Sequence, residues 1–168
     1  MEKFIIQLIG AVGYFLLAYS YYKTNKLQII FVQIFAHIFF TIHYYLLDAY
    51  TGALCNGLSL LVIVIIYLLS KNNNKKYQSI LKYLIIPFVI LIAFISYENI
   101  YSIFPVISSL IALPSLLSKK EKNIRIVGII SAVCWLIYAI IYKSYVAIIF
   151  EIITIISVVV ALIKVQKE

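Results

Sequence analysis

The spacing of its charges restricts this chain more than any other feature. Lys3 and Lys23 enclose 19 uncharged residues, Phe4 to Tyr22; Leu27 to Leu47 adds 21 more, and Ala49 to Ser70 another 22. After the polar run Lys71-Asn72-Asn73-Asn74-Lys75-Lys76 the pattern resumes with Tyr83–Tyr97, Asn99–Ser118, Ile126–Tyr142 and Ser144–Ile163, the last interrupted by Glu151 alone. A helix rises 1.5 Å per residue, so about 20 residues cross a hydrocarbon core of about 30 Å. The shortest stretch, 15 residues from Tyr83 to Tyr97, reaches spanning length if Lys82 snorkels and the helix extends back toward Tyr77. The expectation is an all-α polytopic membrane protein with seven transmembrane helices.

Composition agrees. Hydrophobic residues make up 65% of the 168 and charged ones 12%, against about 45–50% and about 25% in soluble domains. Mean hydropathy is +1.08. Such a chain cannot clothe a water-soluble globule, which excludes a soluble enzyme. The net charge of +8 is not carried on a soluble scaffold, so no nucleic-acid partner is expected. Cys55 and Cys134 both lie in apolar stretches and suggest neither a disulfide framework nor a metal site. No cofactor is expected. Met1-Glu2-Lys3 leads straight into a stretch of full spanning length, which reads as a membrane span rather than a cleaved leader.

Basic residues set the orientation. With the N-terminus outside, the cytoplasmic connections hold Lys23, Lys26, Lys71, Lys75, Lys76, Lys82, Lys119, Lys120, Lys122 and Arg125, and the tail adds Lys164 and Lys167. Only Lys3 and Lys143 fall outside, a strong positive-inside bias. Dropping the fourth span would move the Lys119–Arg125 cluster outside. The expected topology is N-out and C-in.

Sliding the chain against itself by 95 residues aligns spans 1–3 with spans 5–7 without a gap: Phe40 meets Trp135, His43 meets Tyr138, Tyr50 meets Tyr145 and Asn56 meets Glu151. Three-helix units are odd, so a connecting helix must carry the chain back across before the second can run parallel to the first. Residues 1–70 and 99–168 are then two parallel triple-helix bundles, with 71–98 as linker and connecting helix, a 3+1+3 plan. Parallel repeats are one transporter design, with the substrate site between the halves.

Glu151 is the one charged residue deep inside a span, and an isolated charge there costs at least about 2.5 kcal/mol. It is a candidate substrate acceptor or proton or cation coupling site; the alternative is a structural hydrogen-bond anchor. Asn56, at the equivalent place, offers a donor and an acceptor, and Ser59 and Thr154 add hydroxyls one turn deeper. His37, mid-span with Thr41 at i+4, is a second candidate for substrate contact or proton coupling, set against a satisfied structural histidine. Trp135 and Tyr138, at i and i+3, make a candidate stacking platform or ordinary aromatic packing. His43 reads as interfacial. Tyr44, Tyr45, Tyr50, Tyr97, Tyr101, Tyr142 and Tyr145 read as an outer interfacial belt. Pro87, Pro105 and Pro114 fall within spans 4 and 5 and are candidate gating kinks. No phosphate loop, carboxylate pair or nucleophile–base pair appears, so an enzyme is not expected.

The stretch His43-Tyr44-Tyr45-Leu46-Leu47-Asp48-Ala49-Tyr50-Thr51-Gly52-Ala53-Leu54-Cys55-Asn56 resembles a signature of the bacterial YgjV inner-membrane protein family. Arg125 through Trp135-Leu136-Ile137-Tyr138, then Lys143-Ser144-Tyr145 and Glu151, resembles a second. That family is grouped with the SWEET, SemiSWEET and PnuC transporters, whose three-helix bundles surround a central substrate path. The resemblance implies sugar-contacting roles for Asn56 and Trp135. Glu151 stands where a sugar carrier has its second asparagine, and the proline–glutamine signature is not evident, so a nucleoside or other cationic small molecule rivals sugar. The leading expectation is a small-molecule transporter in the bacterial inner membrane, working by alternating access or facilitated diffusion on a small polar substrate, with membrane lipid and a possible second copy as its other partners. The alternative is a non-transport scaffold or a lipid-interacting or regulatory subunit.

Overall fold

A computed structural model describes residues 2–20, 23, 25–71, 75–115 and 121–165. Among them the chain is all-helical, with seven α-helices and no strand. The helices are α1 (Glu2–Ser20), α2 (Lys26–Leu46), α3 (Tyr50–Lys71), α4 (Lys75–Ile95), α5 (Ile103–Ser115), α6 (Glu121–Ile141) and α7 (Tyr145–Val165), with a 3₁₀ turn at Ile100–Ser102 leading into α5. Each helix overlies one of the charge-bounded stretches. By length and composition α1, α2 and α3 qualify as membrane spans, through Lys3–Ser20, Leu27–Leu46 and Tyr50–Lys71; Tyr83–Ile95, Ile100–Ser115, Ile126–Ile141 and Tyr145–Val159 are shorter apolar segments. Lys119 and Lys120 of the basic cluster, and Lys167 of the tail, lie outside the described residues.

Helices adjacent in sequence pack in space, and two further contacts, α1 with α7 and α3 with α5, close the assembly. With α4 left aside, exchanging α1, α2 and α3 for α5, α6 and α7 maps these contacts onto one another. The same offset recurs in fine detail. α2 and α6 end in the same turn, with Asp48 and Lys143 in the left-handed region at φ 57° and 56°. Ala49 N–H donates to Tyr44 O and Asp48 N–H to Tyr45 O; Ser144 N–H donates to Ala139 O and Lys143 N–H to Ile140 O. Both are Schellman caps, which satisfy carbonyls that the helix end leaves open. The ties next to these turns also match: Val146 N–H donates to Gln7 Oε1 between α7 and α1, and the Thr51 and Ser102 hydroxyls are hydrogen-bonded between α3 and the turn before α5.

α4 stands apart from this correspondence. Leu81, Ile85 and Val89, four apart on one face, pack against Val62, Ile63 and Ile66 of α3 and Val106 and Leu113 of α5. The other faces of α4 are exposed, Tyr83, Phe88 and Phe94 among them, as expected of a helix bordered by lipid.

The prolines divide. Pro87 is inside α4 on an exposed face and Pro114 is near the end of α5. Pro105 is in the first turn of α5 and buried. A proline there gives up an amide with no intrahelical partner, so Pro105 starts its helix rather than kinking it.

Candidate functional site

The α2–α3 and α6–α7 turns lie at one end of the molecule, together with the start of α1 and the α4–α5 connection; this is the hairpin end. A web of hydrogen bonds closes it. His43 is fully buried, its Nδ1 2.8 Å from Ile6 O and its Nε2 2.7 Å from Ser144 Oγ. The carbonyl can only accept, so Nδ1 carries the proton and Nε2 accepts from the serine. His43 therefore ties α1, α2 and the start of α7 rather than sitting at an interface. Gln7 Nε2 donates to Lys143 O at 3.1 Å. The Tyr142 hydroxyl donates to Glu98 at 2.6 Å, and Glu98 accepts from Tyr50 N–H. Thr51 Oγ1 lies on Ser96 O.

Beneath that web is an aromatic layer of Tyr44, Trp135 and Tyr138, with centroids 5.2–6.0 Å apart. Tyr138 is 0% exposed, and its hydroxyl accepts from Gly52 N–H at 3.0 Å. Gly52 is in the first turn of α3, where amides lack intrahelical partners, so Tyr138 caps α3 from the other half of the chain. A Cβ at Gly52 would come within 2.5 Å of the Tyr138 ring. That contact requires glycine.

On the far side of the layer lies a cavity of about 180 Å³ bounded by α1, α2, α3, α6 and α7. Asn56, Glu151, His37, Trp135 and Thr154 all line it, as do Tyr14, Tyr44 and Ser131. A lobe of about 250 Å³ continues from Asn56 and Ser59 toward α5, and a groove of about 510 Å³ runs from Glu151 along α1 and α7. The polar groups are positioned from within. Asn56 Nδ2 donates to Gly52 O at 3.0 Å, and its Oδ1 is 3.3 Å from His37 Nδ1. Glu151 Oε1 accepts from the Tyr14 hydroxyl at 3.0 Å, and Tyr14 stacks on Phe150 with centroids 4.7 Å apart. Ser59 donates to Cys55 O and Thr154 to Phe150 O, another pair related by 95 residues.

Six of the seven expected binding residues thus border one continuous space, Ser59 on the α5 lobe. Tyr138 does not: it lies in the layer that closes the space. Tyr44 does not belong to the interfacial belt either. Tyr44 is 2% exposed in that layer, whereas Tyr45, Tyr50, Tyr97, Tyr101 and Tyr145 are exposed. The sequence reading passed over Tyr14, the partner of Glu151; its mid-span position in α1 is the signal that marks it. The Tyr44 hydroxyl is the one buried side-chain polar atom among the described residues with no hydrogen-bond partner. No group of three or more His, Cys, Asp and Glu able to hold a metal ion occurs among them.

The fold and the cavity define a helical membrane protein with a polar centre. A sequence model described as bacterial inner membrane protein, Imp-YgjV, matches residues 4–168, and the chain belongs to that family. No curated protein matches the chain, and no solved structure matches it.

Proposed function

We propose that the protein is a small-molecule transporter of the bacterial inner membrane, crossing it seven times with the N-terminus outside. Residues 1–70 and 99–168 act as two parallel triple-helix bundles joined by α4, a 3+1+3 plan of the SWEET and PnuC kind. The recurrence of caps, ties and helix contacts at a 95-residue offset supports the plan, and the distribution of basic residues supports the orientation. One observation carries the transport reading: a polar cavity at the meeting of the two halves, bordered by both Asn56 and Glu151 and closed at the hairpin end by hydrogen bonds. Lobes totalling a few hundred Å³ suit a small polar solute. Glu151, Asn56, His37, Trp135 and Thr154 contact it, and Ser59 lines its path. Glu151 couples transport to a proton or cation, with His37 beside the path, and Pro87 and Pro114 allow the helix motion that exchanges access.

The test is thermal stability of the purified protein against sugars, nucleosides, vitamin-like cations and polyamines, followed by uptake into proteoliposomes. A ligand at about 100 times its Kd adds about 2.7 kcal/mol to the folded state. A specific shift that is lost in Glu151→Gln or Trp135→Ala, with uptake of the same compound, supports the reading. In Glu151→Gln the pH dependence of uptake flattens; an unchanged pH profile removes Glu151 as the coupling residue. A flat panel together with absent uptake favours a scaffold.

A further inference from the structure

The two seams between the halves are related by the 95-residue offset but differ in their surroundings. Along α3 and α5, Ser59, Val62, Ile63 and Leu113 are buried, the last three in one cluster with Leu81, Ile85 and Val89 of α4. Their counterparts along α7 and α1 are Thr154, Ser157, Val158 and Ala18. Thr154, Ser157 and Ala18 are exposed and Val158 is half-buried. Among the described residues no further helix packs over α1 and α7. The uncovered seam is a groove of about 510 Å³ whose walls include Leu17, Ala18, Phe150, Ile153 and Val158. Tyr14, Leu17, Glu151 and Thr154 border both this groove and the central cavity, so the two communicate at the carboxylate.

We propose that this seam admits an amphiphilic organic cation sideways from the bilayer, its ammonium head at Glu151 and its apolar tail along the α1–α7 groove. The inference rests on the central cavity being a substrate site and names the class of substrate. The chemistry of the two spaces is specific. Glu151 is the one charged group bordering either space, and its hydrogen-bond partner, the Tyr14 hydroxyl, is neutral. A carboxylate facing hydrocarbon calls for a positive partner. Tyr14, Phe40, Tyr44 and Trp135 line the same cavity as Glu151, and aromatic rings attract ammonium groups. The tail meets apolar walls at the lipid-facing side, where the bilayer already holds apolar chains.

Radiolabelled alkyltrimethylammonium ions, from tetramethyl to hexyltrimethyl, test this on the full chain in nanodiscs of a zwitterionic lipid, with protein-free discs as baseline. Their fixed charge removes any titration of the ligand. Affinity rises with tail length, by up to about fourfold per methylene as seen from water. Glu151→Gln loses binding of every member at least tenfold, and n-hexanol does not compete. Ser157→Trp, a surface change that leaves the carboxylate in place, flattens the dependence on tail length. Cation binding that ignores both tail length and Ser157→Trp overturns the lateral seam while leaving the central site standing. Uptake of a neutral sugar or nucleoside without any cation binding overturns the cation class but not transport. A Ser157→Cys variant that crosslinks to a second copy across the seam, with no tail dependence, shows the groove to be covered by protein and overturns the proposal.

Discussion

Asn56 and Glu151 share a register in α3 and α7 and differ in what answers them. Asn56 spends both ends of its amide, on Gly52 O and on His37; Glu151 has one tyrosine hydroxyl. That difference was legible in the sequence, since a carboxylate within an apolar span must be answered by something. What answers it was not, because hydropathy does not distinguish a tyrosine at an interface from one turned inward. Tyr14, Tyr44 and His43 were therefore undervalued and Tyr138 was misplaced. The role of Tyr138 can be measured. Tyr138→Phe keeps the ring against Gly52 but strips the acceptor from a buried amide, and should cost about 1–3 kcal/mol of stability. Thermal unfolding of the purified variant checks this, and no loss would mean that the Gly52 amide finds another acceptor.

Among the elements, every helix boundary that charge spacing drew survives to within a few residues at the hairpin end, because the polar residues that break the apolar runs also form the turns. Pro105 is the exception. A proline count cannot tell a helix start from a kink, and the 3₁₀ turn at Ile100–Ser102 puts the α5 start later than the charge boundary at Glu98. The Schellman turns carry a cost visible only in the backbone. Lys143 holds a left-handed conformation at φ 56°, which disfavours most side chains by about 1–2 kcal/mol. Aspartate is more at ease there, so Asp48 is the less strained of the pair. Lys143→Gly should raise the unfolding temperature, by about 1 kcal/mol in stability, while Asp48→Gly should gain less. Equal effects at both positions would show that local side-chain conformation does not set the difference. Ile85, 1% exposed at the centre of the α4 contact, tests the other element that departs from the repeat. Ile85→Ala should cost about 2–5 kcal/mol, and limited proteolysis would report whether α4 loosens before the rest.

At the scale of the molecule, the 95-residue register is written faintly in the residues and plainly in the hydrogen bonds. Few side chains are identical across it, yet the caps at Asp48 and Lys143 and the ties Gln7–Val146 and Ser102–Thr51 coincide. Backbone geometry constrains turns and helix starts, whereas lipid and core accept almost any apolar side chain, so sequence drifts where geometry cannot. The coincidence also locates what must break if the halves rock. At the hairpin end α1 meets α7 through Gln7, whose amide bonds Lys143 O and Val146 N–H, and that contact joins the first half of the chain to the second. A Gln7→Cys and Val146→Cys pair, bridged by a thiol-specific linker about as long as the glutamine side chain, would hold this end shut. The native Cys55 and Cys134 are buried, and the chain without the added pair serves as the control. Under alternating access, uptake in proteoliposomes should fall to background on bridging and return when the linker is cleaved, while ligand-induced thermal stabilisation persists, because the cavity lies on the other side of the aromatic layer. Uptake that continues with the bridge intact would mean that the hairpin end never opens, and would move the path of the solute to the seams between the halves.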